Sequence, residues 1–377
     1  MQSMIIGVIK ETKEYENRVA LSPEVVKLVR KKGFEVVVES GAGEKSFFSN
    51  QEYEAAGATI GTSKEALGAD LVLKVNLATV AEIAQMKENA GYISYMYAYQ
   101  YPEILEAFNK KRITTFSMDA VPRISRAQKM DALSSQANLA GYKAVLLGAN
   151  YLGKIFPLLM TASGTITPAR VLIFGAGVAG LQAIATAKRL GAVVECTDVR
   201  PETKEQVESL GGRYLSVEGV EGVKTEGGYA REVSAEYLEK QQQLIREKIK
   251  EADLVITTAL VMGKKSPILV TEDMVKSMKA GSVIVDMAVE SGGNCAISEK
   301  NATVVKHGVT LVGESNLPSL LPVNASQLYA TNISTLAFHL AGESGITLDL
   351  EDEITKGVLI THQGELVHAF TKQILSQ

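Results

Sequence analysis

Residues 171–198 read VLIFGAGVAGLQAIATAKRLGAVVECTD. Val171 to Phe174 form an unbroken apolar run, the composition of a strand covered on both faces. Gly175 permits a tight turn, Gly177 lets backbone approach a ligand closely, and Gly180 lets the following helix pack hard against the strand. A helix over Val178 to Leu190 would point its free N–H groups and the positive end of its dipole at that turn, a natural seat for phosphates. Asp198 then closes a second strand 23 residues after Gly175, where a carboxylate can accept from a ribose diol. Three glycines alone would be an ordinary strand-to-helix turn. With strand, helix and terminal acid in place, the spacing predicts a dinucleotide site. Apart from Arg200, no arginine stands where a 2′-phosphate would be held, so NAD(H) is expected rather than NADP(H).

The rest of the chain narrows the class. It has 377 residues, room for two domains each with its own core. With 39 basic against 43 acidic residues, the formal net charge of −4 gives no basic excess for nucleic acid, and none is expected as a partner. Cys196 and Cys295 show no pairing pattern, and the start MQSMIIGVIKE has no signal peptide, so a cytoplasmic, reduced protein is expected. The most apolar long stretch, Ala144 to Met160, is broken by Asn150, Lys154 and Pro157; no transmembrane segment is expected. His307, His339, His362 and His368 lack ligand spacing, so no metal site is expected.

Short apolar runs alternate with amphipathic segments from MIIGVIK through PEVVKLVRKKG, EVVVESGAG, DLVLKV, AGYISYM and PEILEAFNKKR to ITTFSM. This is the rhythm of βα units on a parallel sheet. Ala127 to Leu152 reads as one long helix, TASGTITP (161–168) as a polar loop, and Ala252–Thr257 and Ser282–Asp286 as further parallel strands, with Thr310–Val312 expected to end that sheet. A last helix, Ala325 to Leu340, precedes the short strands GVLI and ELVH. The expected architecture is α/β: two doubly wound Rossmann-like domains with parallel sheets, joined by long helices, the first discontinuous. Its boundaries are 1–128 plus 320–377 for the N-terminal domain and 129–319 for the NAD(H)-binding domain with its linker helix. The glycine-rich insertion from Gly219 to Val233, with Tyr229 near its end, is expected to be a flap closing over nucleotide.

Pro122 to Tyr142, PRISRAQKMDALSSQANLAGY, resembles the NAD(H)-binding alpha subunit (domain I) of proton-translocating nicotinamide nucleotide transhydrogenase. The likeness extends to ETKEYENRVALSPEVV, LVLKV, TKEQVESLGG, MAVESGGNC and VVKHGV, and so to essentially the whole chain. It implies a Re/Si-specific enzyme passing hydride between NAD(H) bound here and NADP(H) on a partner subunit, coupled to proton translocation. It also implies a homodimer held on the inner membrane by a membrane-spanning subunit, inactive without its partners. Hydride transfer between two nicotinamides needs orientation rather than an acid or base. Arg123 offers a planar fork of donors, Gln128 both donates and accepts, and Asp131 accepts; the resemblance puts all three at the nicotinamide with Ser134 beside them. A helix cap and ion-pair cluster is the plainer reading of the same residues. Nucleotide contacts are expected at Gly175, Gly177, Val178, Ala179, Gly180, Asp198, Val199, Arg200, Tyr229, Ala259, Leu260, Asp286, Glu290 and Asn316.

Two other functions compete. Alanine dehydrogenase resembles the chain at ENRVA and LVLKV, where Arg18 and Lys74 match its substrate-carboxylate ligands, but its histidine is missing: residues 93–101 read ISYMYAYQY, with Tyr97 near that place. Without a group titrating near neutrality, amino-acid oxidation is much harder. A non-catalytic NAD-sensing module is the third possibility.

Overall fold

The computed structural model describes residues 3–217, 235–261, 264–342 and 345–376. The expected flap and Tyr229 lie outside them. In chain order the strands are β1 (Ile5–Val8), β2 (Glu35–Glu39), β3 (Thr59–Gly61), β4 (Leu71–Leu73), β5 (Gly91–Ser94), β6 (Thr114–Ser117), β7 (Leu159–Thr161), β8 (Gly164–Ile166), β9 (Arg170–Phe174), β10 (Val193–Thr197), β11 (Arg213–Tyr214), β12 (Leu254–Thr257), β13 (Val283–Asp286), β14 (Thr303–Lys306), β15 (Val309–Val312), β16 (Ala341–Gly342), β17 (Gly345–Ile346), β18 (Leu359–His362) and β19 (Glu365–Leu366).

Two compact units result: Met1–Gln136 with Ser319–Gln377, and Ala137–Pro318. The first holds an eight-stranded sheet in the order β19-β18-β6-β5-β4-β1-β2-β3. It is parallel from β6 to β3, and β18 joins it antiparallel to β6. The second holds a seven-stranded sheet, β11-β10-β9-β12-β13-β15-β14. Both are α/β sheets with helices on their faces, and the apolar patterns explain why. In β9, Val171 and Ile173 enter one core while Leu172 and Phe174 enter the other, which is what a continuous apolar run requires.

Four local expectations need correction. The sheet of the second unit does not end at Val309–Val312: β14 lies outside β15, antiparallel to it. Its alternating exposure suits an edge, where only one face meets the core. TASGTITP is not an open loop, since β7 and β8 pair as a hairpin. The long helix runs from Ala132 to Tyr151, not from Ala127; Ser125–Met130 is a 3₁₀ turn before it. Asp131, at φ −72° and ψ 83°, breaks the continuity, and its carboxylate caps the new helix by accepting from Ser134 N at 2.9 Å. The last helix begins at Pro322, three residues early, because proline is well placed in a first turn. Among the described residues no helix is long and apolar enough to cross a membrane.

Candidate functional site

In the second unit the chain steps from β9 to β10 on one side and later returns to β12 on the other, so the strand order reverses between β9 and β12. Doubly wound sheets bind ligands at such a reversal, beyond the carboxyl ends of the strands. The fingerprint turn stands there. Gly175 adopts φ +102°, and a Cβ on it would lie 2.3 Å from Thr258 Oγ1, whose hydroxyl donates to Phe174 O at 3.0 Å. At Gly180 a Cβ would come within 1.8 Å of Gly175 O, so this glycine lets the helix Val178–Arg189 close on the strand. Gly177 is different. It caps that helix at φ −76°, and within 4 Å of its Cβ position stands only Arg200 Nη2, at 3.8 Å. No side chain caps the helix, so Val178, Ala179 and Gly180 open onto a free space with their N–H groups as donors. The glycine spacing therefore leaves room where a diphosphate would lie.

Asp198 stands at the end of β10, and its carboxylate accepts from Ala176 N at 2.6 Å and from Arg200 N, Nε and Nη2 at 2.8, 2.9 and 2.8 Å. Val199 lies half-buried between the two. After β12, Ala259 is pinned and Leu260 is 49% exposed. The pin is a residue that the sequence reading missed. Buried Asn294 accepts from Ala259 N at 3.0 Å and donates to Ala259 O and Pro267 O, both at 2.9 Å. Asp286 is buried and structural: it accepts from Thr257 Oγ1, Ala288 N, Asn294 N and Cys295 N, which fixes the turn that carries Asn294. Asparagine after paired glycines in MAVESGGNC was the available signal. Glu290 is a surface residue paired with Lys300 at 2.8 Å, and the backbone N–H of Asn316 donates to Glu314 at 3.1 Å.

In the first unit, the residues from Arg123 to Ser134 fall on the 3₁₀ turn and the helix start. Asp131 and Ser134 come together, Ser134 Oγ donating to Asp131 at 2.6 Å. The cap foreseen as the plainer reading is therefore present. Arg123 and Gln128 are exposed, and the Gln128 amide has no hydrogen-bond partner among the described residues. Asn332, on the helix Pro322–Leu340, braces this turn by donating to Lys129 O at 2.8 Å and accepting from Ser135 Oγ at 2.7 Å.

The same unit holds Arg18 and Lys74, both buried and both engaged by carboxylates. Arg18 Nε and Nη2 grip Glu16 at 2.8 and 2.7 Å, and Nη1 donates to Gln136 at 3.0 Å. Burial raises the Glu16 carboxyl, but the Arg18 charge and hydrogen bonds outweigh it and bring the group down to about 2. Lys74 lies 3.1 Å from Glu82 and 3.9 Å from Glu11. Tyr97, at φ +43°, is held through its backbone N–H by Asp119 at 3.1 Å and stacks on Tyr95 with ring centroids 6.1 Å apart.

The alanine dehydrogenase/PNT N-terminal domain matches residues 7–140, and the C-terminal domain of the same family matches residues 144–369. The chain belongs to the alanine dehydrogenase/PNT family. Within this family it is 50% identical, over 97% of its length and 98% of the other protein, to the first of the polypeptides that make up NAD(P) transhydrogenase subunit alpha in Rhodospirillum rubrum. The crystal structure of transhydrogenase from Sinorhizobium meliloti superposes with a TM-score of 0.89 at 45% identity, covering 96% of this chain and 100% of that one. Alanine dehydrogenase of Bacillus subtilis is 31% identical over 97% of this chain and 93% of its own. The alanine dehydrogenase/PNT fold is therefore shared by both branches, and the transhydrogenase branch is the nearer of these.

Proposed function

We propose that this chain is the NAD(H)-binding alpha subunit of a proton-translocating, Re/Si-specific transhydrogenase. NAD(H) is its nucleotide, and NADP(H) sits on a partner subunit. The observation that carries the reading is the open cradle at Gly177, flanked by two glycines that admit no side chain and by the acid that ends β10. When bound, the nicotinamide supplies or accepts the hydride, which leaves the C4 carbon of one dihydronicotinamide for C4 of the other. The protein's part is placement: helix N–H groups receive the diphosphate, and Arg123, Gln128, Asp131 and Ser134 orient the nicotinamide end.

The charge balance at Arg18 and Lys74 supports this reading over alanine dehydrogenase. An amino-acid substrate needs a cation with donors to spare, whereas Glu16, Glu11 and Glu82 already neutralise these two. Tyr97 cannot replace a histidine either: burial and the nearby Asp119 carboxylate push its phenol well above its ordinary range.

Partners follow from the same reading. A second copy of the chain fits the exposed apolar side chains Leu158, Leu159, Met160 and Ile166 around the β7–β8 hairpin, Met160 being 74% exposed. A membrane-spanning subunit would hold the dimer peripherally on the cytoplasmic face of the inner membrane. The deciding experiment is reconstitution with the NADP(H)-binding and membrane components. NADPH-dependent reduction of NAD should appear only in the complete mixture, and pyruvate- and ammonia-dependent NADH oxidation by the chain alone would instead establish the dehydrogenase.

A further inference from the structure

A carboxylate that ends the second strand recognises a ribose diol through free lone pairs. In this protein those lone pairs are engaged. Oδ1 of Asp198 accepts from Arg200 N and Nε, and Oδ2 accepts from Ala176 N and Arg200 Nη2. The Asp198 side chain is 5% exposed beside a guanidinium that is 17% exposed. The same Nη2 is the atom 3.8 Å from the Cβ position of Gly177, so one cation spans the ribose carboxylate and the open helix N-terminus.

That placement acts with opposite sign on two nucleotides. For an unphosphorylated ribose, the diol and the guanidinium compete for the same carboxylate oxygens, and the Arg200 side chain must give way. For a 2′-phosphate, Arg200 offsets the repulsion from Asp198 and offers donors suited to phosphate. We propose that Arg200 is a specificity-setting residue that lowers affinity for NAD(H) and softens the exclusion of 2′-phosphorylated nucleotides. The inference rests on the reading of this turn as the NAD(H) site. A nucleotide held less tightly also exchanges faster, which suits a site that must trade its oxidised and reduced forms at each turnover.

The test is fluorescence titration of the purified chain with NADH and NADPH, with 5′-AMP and 2′,5′-ADP as competitors that isolate the adenosine end. Arg200→Met removes the donors and keeps the stem; it should tighten NADH and 5′-AMP by about three- to tenfold, the loss of a partly exposed ion pair, and weaken NADPH and 2′,5′-ADP. Arg200→Lys keeps the charge without the fork, so NADH should tighten while NADPH stays near wild type. A merely structural clamp would weaken all four ligands together in Arg200→Met, and that result, or no change in either nucleotide, overturns the inference. If the wild-type chain bound neither NADH nor NADPH, the site reading itself would fall and this inference with it. Normal NADH binding with parallel losses in the variants would overturn only the role of Arg200.

Discussion

Gly177 and Gly180 are three residues apart on one turn, yet alanine at each should produce opposite phenotypes. At Gly180 the new Cβ would stand 1.8 Å from Gly175 O and 2.8 Å from Gly175 C, against an ordinary contact of about 3.5 Å. Neither atom belongs to a flexible side chain, so the helix Val178–Arg189 must retreat from β9. Overpacking against backbone costs about 3 kcal/mol, the upper end of the usual range. For a unit of this size each kcal/mol lowers Tm by roughly 2–4 °C, so Gly180→Ala should melt about 6–12 °C early. At Gly177 the backbone, φ −76°, suits any residue, and the nearest atom is 3.8 Å away. Gly177→Ala should cost under about 1 kcal/mol, mostly from a poorer helix cap. Its methyl group nonetheless occupies the approach to the helix N–H groups. Losing two charge-assisted bonds to a diphosphate is worth about 3 kcal/mol, roughly a hundredfold in Kd. Thermal unfolding with and without NADH reads both effects, because NADH raises the Tm of a protein that binds it and should not raise that of Gly177→Ala. Wild-type NADH affinity in Gly177→Ala would refute the cradle. An unshifted Tm in Gly180→Ala would refute the packing argument.

Gln128→Asn shortens the exposed amide by one methylene; in the reconstituted enzyme hydride transfer should fall about 100-fold with NADH affinity nearly unchanged, and a wild-type rate would remove Gln128 from the site. The Glu16–Arg18 pair makes the first unit acid-sensitive. The folded carboxyl titrates near 2, below its usual 4.5, so its stabilisation is complete above about 4.5 and is lost as pH falls toward 2. Glu16→Gln should leave Arg18 buried without its counter-ion, cost about 3–5 kcal/mol at neutral pH and flatten that part of the pH–stability profile, as denaturant titration would show. Met160→Glu should turn the dimer into a monomer in sedimentation experiments; an unchanged mass would place the self-contact elsewhere. Pyruvate with ammonia should not oxidise NADH in the presence of the chain alone, and measurable turnover would overturn the choice between the two branches.

The fingerprint was legible because each of its requirements is local. A strand covered on both faces needs an apolar run, a turn at positive φ needs Gly175, and a close helix needs Gly180, all within a few residues. The helix start at Ala132 was less legible: an amphipathic pattern ran through Ala127, and only the Asp131 carboxylate meeting Ser134 N shows where the 3₁₀ turn gives way. The same limit hid Asn294 and Asn332. Each does its work by reaching backbone groups distant in sequence, and nothing in its own neighbourhood announces the partner.

The sequence by itself determined the alternation of strand and helix, the glycine turn and the acid behind it, because backbone sterics and strand burial act over short spans. Tertiary structure decided which charges are free to act. Asp198, Asp286, Arg18 and Lys74 all looked available as isolated letters, but folding delivers Arg200 to the first, a turn of backbone N–H groups to the second, and glutamates to the last two. Burying a charge is costly unless a partner comes with it, so the fold settles these pairings at long range, where no local pattern records them.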